Sequence, residues 1–409
     1  MKNLCFAFFC ILSGYSIAQP IDFVYRDSIL NKRSIQITGL NTFASNAVKN
    51  ELFGKFLLGG NISTEMIDNN APKDFNVLGG EAIQNISYFD ATLLKLPNLG
   101  ILISASDHHF LSTSYKPSIF NLAFRGNAPY VGDTLDLSYA HAQYLHFQNY
   151  GIGVFDKRTQ SFIKVGFLVG NRSLNYRAGE TYFHTTEDGS KMYLDLNFDG
   201  HSTQFDSTNS YLTAKGYGFS LELNHNFIIN TKSGRQHIVN FNLSNIGSIF
   251  WNSNTANIKM DSIYSYQGFD YSELSSVQNM NSSEVLDSLG LLETAFAKRE
   301  ALPIKIIINK VPIYNFNRKL QSTFGFKALL IPDYRPMLYG GIHYQPSPYF
   351  SLATKAIIGG YGSLRFALNA NLWIKNNFYL GLSTLDIIGL GSNTIGKGKS
   401  LNITMQLNL

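Results

Sequence analysis

Side chains of alternating polarity run through most of this chain, and this pattern constrains the fold more than any other feature. The last nine residues alternate without a fault between an apolar set and a polar set: Leu401, Ile403, Met405, Leu407 and Leu409 against Asn402, Thr404, Gln406 and Asn408. Successive side chains of a β-strand point to opposite faces of its sheet. The pattern therefore predicts strands with one apolar and one polar face, and helical periodicity does not explain it.

The same period recurs along the chain, at 161–171, 191–199, 215–227, 237–244, 320–330 and 363–374. Turn residues such as Pro332-Asp333 and Gly359-Gly360 separate neighbouring segments in the last third of the chain. Counting segments in this way predicts about fourteen strands, with an error of about two. Because short turns join consecutive strands, the sheet is expected to be antiparallel and up-and-down.

Composition favours a membrane barrel over a soluble sheet protein. Only 15% of the 409 residues are charged, and 14% are aromatic, whereas soluble domains carry roughly a quarter charged residues. The polar faces hold Gly, Ser, Asn and Thr more than Lys and Glu, which suits a packed or wet lumen. Aromatic residues such as Tyr339 and Phe378-Tyr379 recur near strand ends, where interfacial girdles lie. We predict an all-β fold, an antiparallel up-and-down transmembrane β-barrel; a secreted soluble β-sandwich is the alternative.

The first residues predict export. Lys2 precedes an apolar stretch over 4–12, and the small residues Ser16 and Ala18 provide a cleavage site, which predicts a signal peptide over 1–18. The predicted location is the outer membrane of a Gram-negative bacterium. Cys5 and Cys10 are the two cysteines and both lie in this segment, so no thiol chemistry is expected in the mature chain. A formal net charge of +5 over this length gives no basis for nucleic-acid binding.

Two segments lack the strand pattern. Residues 44–58 place Val48, Leu52 and Phe56 on one helical face. We predict that 19–80 forms a strand-free N-terminal segment that plugs the lumen or closes its periplasmic end; an ordinary exposed amphipathic helix is the alternative. The barrel is then predicted over 81–409, with a long loop at 253–302 whose residues 282–300 keep helical spacing.

Four short stretches resemble a known family: 46–65 with Leu-Phe-Gly-Lys-Phe-Leu-Leu-Gly-Gly at 52–60, then 124–132, then 243–247 leading to Trp251, then 302–305. They resemble an uncharacterised outer-membrane family common in Bacteroidetes-type bacteria, whose members look like relatives of the fatty-acid-transporter barrels. The resemblance implies a single barrel with an N-terminal luminal segment, and it brings no known substrate and no catalytic residues. Barrels of this kind usually end in an aromatic residue, whereas this chain ends in Leu409.

Residues that could carry chemistry are scattered. Asp107-His108-His109 is a cluster with metal-ligand character, but adjacent strand residues face apart, so a solvated loop is the preferred interpretation. His141 and His146 differ in parity and are likewise expected to face apart. No H-E-x-x-H or G-x-S-x-G motif occurs. We therefore predict no enzyme, no cofactor and no metal.

For function, the sequence favours a conduit or binding pore for a small hydrophobic ligand. The alternative is a non-enzymatic surface scaffold whose loops, mainly 253–302, hold a partner protein. Outer-membrane lipid is the other expected partner.

Overall fold

Strands account for most of the chain, and the first wall strand pairs with the last. The computed structural model describes residues 24–25, 33–203, 212–232, 234–252, 255–266, 292–295, 298–315, 317–374 and 377–409. Its strands, in chain order, are β1 (Arg33–Ser45), β2 (Asn76–Asp90), β3 (Leu99–Tyr115), β4 (Thr134–Asp136), β5 (His141–Asp156), β6 (Phe162–Ala178), β7 (Tyr182–Thr185), β8 (Met192–Thr203), β9 (Gly216–Asn230), β10 (Gln236–Trp251), β11 (Thr255–Tyr266), β12 (Leu292–Ala295), β13 (Lys298–Ala301), β14 (Ile304–Val311), β15 (Leu320–Leu330), β16 (Arg335–Ser347), β17 (Phe350–Gly360), β18 (Arg365–Ile374), β19 (Phe378–Thr384) and β20 (Gly398–Asn408).

Fourteen of these strands form a closed antiparallel barrel. The wall runs β1, β2, β3, β5, β6, β9, β10, β14 to β20, and back to β1. Every wall strand is therefore paired on both sides, which leaves no open sheet edge in the wall. The predicted fold class is confirmed.

The remaining strands extend the sheet beyond the wall. Residues 174–178 of β6 pair with β8, and β8 also pairs with β7 and with β11. β4 continues this extension from β7, and β12 continues it from β11. The chain thus builds a second, smaller layer of strands at one end of the barrel.

The described residues of the connections form four helices: α1 (Asn50–Leu58), α2 (Thr64–Asn70), α3 (Pro117–Arg125) and α4 (Ile387–Gly391). In the described residues none of them has the length and apolar character needed to span a membrane.

The two ends of the barrel differ in the length of their connections. One end, here called the rim, carries the long connections 46–75, 116–140, 179–215, 252–303 and 385–397, the short turns 331–334 and 361–364, and the four described helices. The opposite end, here called the base, has the turns 91–98, 157–161, 231–235, 312–319, 348–349 and 375–377. β1 starts at the base and β20 ends there, so their pairing closes the barrel along its whole height.

The faces of the wall strands follow the polarity read from the sequence. Lumen-facing positions hold residues such as Glu81, Lys327 and Phe110, which contact partners across the barrel. The outward positions include a band of exposed apolar side chains: Ile86, Ile103, Ile152, Phe167, Phe219, Ile308, Phe324, Leu338, Ile358, Leu368, Leu382 and Leu401. A closed barrel with such a band has the surface that a lipid bilayer requires.

Side chains of the wall fill the lumen below the rim. An apolar cluster joins residues from opposite walls and from two rim turns: Leu40, Ile83, Phe110, Leu145, Phe147, Leu168, Ile249, Trp251, Leu329, Ile331 and Tyr361. Tyr361 lies directly under Gly79, where a Cβ atom would meet its ring. Glycine at 79 therefore lets the tyrosine ring cross the lumen.

Charged pairs also occupy the lumen, beside this cluster. Lys327 forms a hydrogen-bonded ion pair with Glu81, and the Lys305 Nζ lies 3.6 Å from the other oxygen of the same carboxylate. Lys164 pairs with Glu222 at 2.7 Å. Among the described side chains lie cavities of about 60 and 20 Å³, each with room for a few water molecules at most.

Residues Val24 and Tyr25 lie at the base of the lumen. The ring of Tyr25 is fully buried against Ile238, Val311 and Ile313, and its hydroxyl donates to the Arg158 carbonyl at 2.6 Å. Tyr25 also bridges to Ile313 through its backbone. Tyr25 therefore contacts β10, β14 and the turn between β5 and β6 at the base.

The division of the first eighty residues differs from the sequence prediction. Within the predicted strand-free segment 19–80, Arg33–Ser45 is a full wall strand and the wall resumes at Asn76. β1 was missed because its inner face carries Leu40 and Ala44 as well as Ser34 and Thr38, which blurs the alternation. The predicted signal peptide 1–18 lies outside the described residues. Of the predicted helix at 282–300, the described residues 292–295 and 298–301 are strands.

Candidate functional site: an apolar cavity on the outer face of the rim

An apolar cavity of about 580 Å³ lies outside the barrel, between α1, α3 and the outer faces of β2, β3 and β5. Its wall-strand residues, among them Leu78, Leu111 and Tyr144, alternate with the lumen-facing Gly79, Phe110 and Leu145. The cavity therefore opens on the opposite side of the wall from the lumen.

Side-chain hydrogen bonds fix the start of α1. The backbone N–H groups of Ala47 and Val48 donate to Ser45 Oγ, at 3.1 and 3.0 Å, which turns the chain out of β1. The Lys49 N–H donates to Asn70 Oδ1 at 2.7 Å, which joins α1 to α2. Asn50 Nδ2 donates to the carbonyls of Gly389 and Gly398, both at 2.9 Å. These bonds hold α1 against the rim.

The second helix of the cavity, α3, is fixed at both ends. Pro117 occupies its first turn, where the missing N–H has no cost. Lys116 hydrogen-bonds Asp136 of β4, and this contact lowers the pKa of that carboxyl. At the other end Arg125 pairs with Asp68 of α2 at 2.8 Å. The helix thereby presents Phe120, which is buried, toward the cavity.

The lining is almost wholly apolar. It consists of Val48, Leu52, Phe53, Phe56, Leu57, Leu78, Leu111, Thr113, Tyr115, Ile119, Phe120, Ala123, Phe124 and Tyr144. A volume of this size is typical of sites for small organic ligands. The polar side-chain atoms of this lining are the hydroxyl groups of Thr113, Tyr115 and Tyr144. The lining therefore suits a molecule that is mainly hydrocarbon.

A polar cluster lies next to the cavity on the same outer face. Tyr144 Oη lies 2.9 Å from His109 Nδ1, and His109 Nε2 lies 2.9 Å from Asp107 Oδ2. The other oxygen of Asp107 lies 2.8 Å from His146 Nε2. The two imidazole rings stack with 4.1 Å between centroids. Tyr144 thus connects the apolar cavity to an aspartate held between two histidines.

The predicted plug residues lie in this outer site rather than in the lumen. Val48 and Leu52 are buried against Leu78 and Phe120, whereas Phe56 is 51% exposed at the cavity mouth. They share one helical face, as the spacing predicts. The sequence does not show which side of the wall that face packs against, because both sides carry apolar side chains at the rim.

The sequence predicts only part of the arrangement of the histidines. His108 and His109 do face apart: His108 stacks on Phe147 in the lumen, at 4.7 Å between centroids, and His109 faces outward. They lie in β3 and not in a loop. Residues 107 and 109 share a face, however, and β3 pairs with β5 so that His146 lies directly opposite His109. The sequence shows which residues of one strand share a face, but it does not show which two strands pair. His141 faces the lumen and pairs with Asp333.

Comparisons with known proteins identify no family. No family model matches the chain, and no curated protein sequence matches it. The resemblance to a Bacteroidetes-type family therefore stays a prediction.

Several solved outer-membrane barrels align over most of the chain at low similarity. The toluene transporter TbuX of Ralstonia pickettii is 8% identical, with 97% of this chain and 96% of that chain covered and a TM-score of 0.39. A TodX monoaromatic hydrocarbon channel mutant is 10% identical, with 93% and 91% covered and a TM-score of 0.40. The translocator domain of autotransporter NalP from Neisseria meningitidis is 8% identical, with 100% and 95% covered and a TM-score of 0.31. The strand pairing and the apolar outer band themselves define the class of this protein, a transmembrane β-barrel.

Proposed function

We propose that this protein is an outer-membrane barrel that binds a small hydrophobic ligand in the cavity between α1 and α3. The observation that carries the proposal is the cavity itself, whose 580 Å³ are enclosed by apolar side chains on the outer face of the wall. An apolar cavity of this size next to a membrane offers hydrocarbon a favourable place outside the bilayer.

The orientation of the barrel supports a site at the cell surface. Bacterial outer-membrane barrels have short turns on the periplasmic side and longer loops outside. The rim carries the long connections, so it is assigned to the extracellular side, and α1 and α3 then lie close to the outer leaflet. The base, where Tyr25 is buried, is assigned to the periplasm.

Binding is better supported than open conduction. Among the described residues, the cluster around Phe110 and Phe147 and the Glu81 ion pairs occupy the lumen, and the cavities beside them have volumes of about 60 and 20 Å³. A ligand that passed through the lumen would have to displace these side chains. The outer cavity needs no such rearrangement to accept a ligand.

A fluorescent apolar probe such as N-phenyl-1-naphthylamine tests the proposal on the full chain in detergent micelles. Ala123 is exposed on the cavity side of α3, so Ala123→Trp is expected to fill the cavity and abolish saturable probe binding. The matched control is Ala105→Trp, which adds the same ring to the outer face of β3 away from the cavity. Heat-modifiable migration on a gel confirms that both variants are folded. Equal probe binding by the two variants would refute the assignment of the site.

A surface scaffold is the second candidate function. It is supported by the strands that continue beyond the wall, in which β8 and β11 pair over twelve residues. Removing 255–295 while the wall strands are kept tests this role, because a scaffold would lose a partner that copurifies with the intact protein. Retention of the same partner by the trimmed barrel would count against the scaffold.

A further inference from the structure

Asp107, His109 and His146 form a polar triad on the outer face of the wall. The packing around them does not require a carboxylate and two imidazoles at these positions. The triad faces outward on β3 and β5, next to the cavity, but its residues are not part of the apolar lining. Its donor atoms all lie within 4.8 Å of one another. Outward positions on membrane barrels are usually apolar or interfacial, and a carboxylate with two imidazoles is expensive to place there.

We infer that Asp107, His109 and His146 bind a divalent transition metal ion of the borderline class to which Zn²⁺ belongs. Two imidazole nitrogens and one carboxylate oxygen are a set of three protein ligands that such ions accept, with further positions left for water. This inference does not rest on the proposed ligand cavity.

The geometry needs little change to admit the ion. The Asp107 oxygens lie 2.9 and 2.8 Å from the two Nε2 atoms. Ligand atoms around a tetrahedral zinc ion, with bonds of about 2.0–2.1 Å, lie about 3.3 Å apart. The ligand atoms of the three residues already lie within 4.8 Å of one another, so modest side-chain shifts bring them to this spacing. Both imidazoles already direct Nε2 toward the carboxylate, which is the atom that would ligate.

Tyr144 is placed to orient His109. Its hydroxyl lies 2.9 Å from Nδ1 and can donate or accept, so it suits either tautomer of the ring. When Nε2 holds a metal, Nδ1 carries the proton and donates to the hydroxyl oxygen. Partners of this kind fix the ring and raise metal affinity. Tyr144 is therefore a positioning residue of the site.

Access and burial also fit a metal site. The side chains of His109 and His146 are 1% and 0% exposed, whereas that of Asp107 is 24% exposed. An ion could enter beside the carboxylate and keep a water on that side. The buried rings would hold it at fixed positions, because their stacking leaves them little freedom.

The test is a titration of Zn²⁺ into the full chain in micelles, purified without a polyhistidine tag and treated with a chelator. One saturable equivalent is expected by calorimetry, and Co²⁺ is expected to give visible absorption bands of four or five coordination. Asp107→Asn and His146→Gln should each abolish saturable binding, and Tyr144→Phe should weaken it roughly tenfold. His225→Gln, an outward histidine on β9, is the matched control and should leave binding unchanged.

The outcome separates a site from adventitious binding. Loss of binding in His146→Gln but not in His225→Gln, with both variants heat-modifiable, supports the inference. Absence of saturable binding in the wild-type protein, or equal binding by His146→Gln, overturns it. Asp107→Asn keeps the size of the side chain and one acceptor oxygen, and its amide N–H can donate to an imidazole in the other tautomer, so it provides a second variant if a histidine replacement fails to fold.

Discussion

The ring of Phe53 on α1 stacks on the ring of Phe43 on β1, with 4.5 Å between centroids and 30° between planes. Phe43 alternates with the lumen-facing Thr42 and Ala44, so this contact places α1 against the outer face of the wall. The helix therefore borders the membrane side of the rim, and in the described part of the chain the lumen side chains come from the wall strands, from the turns that hold Ile331 and Tyr361, and from Tyr25.

Phe53→Ala should loosen α1 without opening the lumen. Loss of an aromatic pair costs about 0.5–1.5 kcal/mol beyond lost burial, so binding of the apolar probe should weaken while conductance in planar bilayers stays at the wild-type level. The control is Phe219→Ala, which removes an exposed ring from the outer face of β9. A rise in conductance on Phe53→Ala would contradict this account and support the prediction that α1 plugs the lumen.

Glu81→Gln should destabilise the barrel strongly. The carboxylate is buried between Lys327 and Lys305, so its removal leaves two ammonium groups without their shared counter-ion. Breaking a buried pair costs about 3–5 kcal/mol, to be measured as a change in the free energy of unfolding in urea. Asp68→Asn breaks the exposed pair with Arg125 and should cost no more than about 1 kcal/mol. Similar losses for the two variants would contradict this account of the lumen.

Replacing Phe110 and Phe147 by alanine together should make the barrel conduct. Both rings are fully buried in the lumen cluster, 6.1 Å apart between centroids. Each truncation should cost about 3–5 kcal/mol of stability, and the two costs need not add because the rings touch. Single-channel recording is the readout, and Phe366→Ala with Phe324→Ala on the outer face is the control pair. Unchanged conductance would mean that other lumen side chains close the barrel by themselves.

Acid should loosen the turn between β15 and β16. Burial raises the pKa of Asp333, but hydrogen bonds from His141 and Ser114 outweigh it, and the net shift is downward. A depressed carboxyl pKa stabilises the fold above the unfolded value of about 3.9, and this stability is lost as the pH falls through the folded pKa.

Asp333→Asn provides the measurement for that turn. Asn tolerates the positive φ of 65° at this position, so the variant removes the charge and leaves the turn geometry available. The wild-type protein should be the more stable of the two in urea at pH 7, and the difference should shrink below about pH 4. A difference that is the same at pH 7 and pH 3 would rule out the carboxylate as its source.

The architecture could be predicted from the sequence because a lipid-facing surface imposes a strict period. At Ser363–Ile374 and Leu401–Leu409 the outward positions must be apolar and the inward ones need not be, so the strand pattern is explicit. At the rim half of β3 both faces carry buried apolar side chains, in the lumen cluster and under α1 and α3, and on β1 the inner face mixes Leu40 and Ala44 with polar residues while Phe43 packs on α1. There the alternation fades, and neither β1 nor the strand around Asp107 was predicted.

The candidate site depends on pairings between segments far apart in the chain. Leu52, Leu78, Phe120 and Tyr144 each look like ordinary apolar positions, and the cavity forms where two connections, 46–75 and 116–140, meet outside the wall. The triad was closer to prediction, since Asp107 and His109 share a face at a spacing of two. Its third member required the register that places His146 opposite His109.

The seam between β1 and β20 has a consequence for the order of folding. Ser34 pairs with Asn408, and the Leu409 N–H donates to the Arg33 carbonyl at 2.8 Å. β1, the first wall strand to be synthesised, can pair with β20 only after β20, the last one, has been made. Until they pair, each strand has one edge with unpaired N–H and C=O groups. Contacts so distant in sequence form slowly, and exposed edges of this kind aggregate readily. We therefore expect the unfolded chain to be prone to aggregation until β1 and β20 pair.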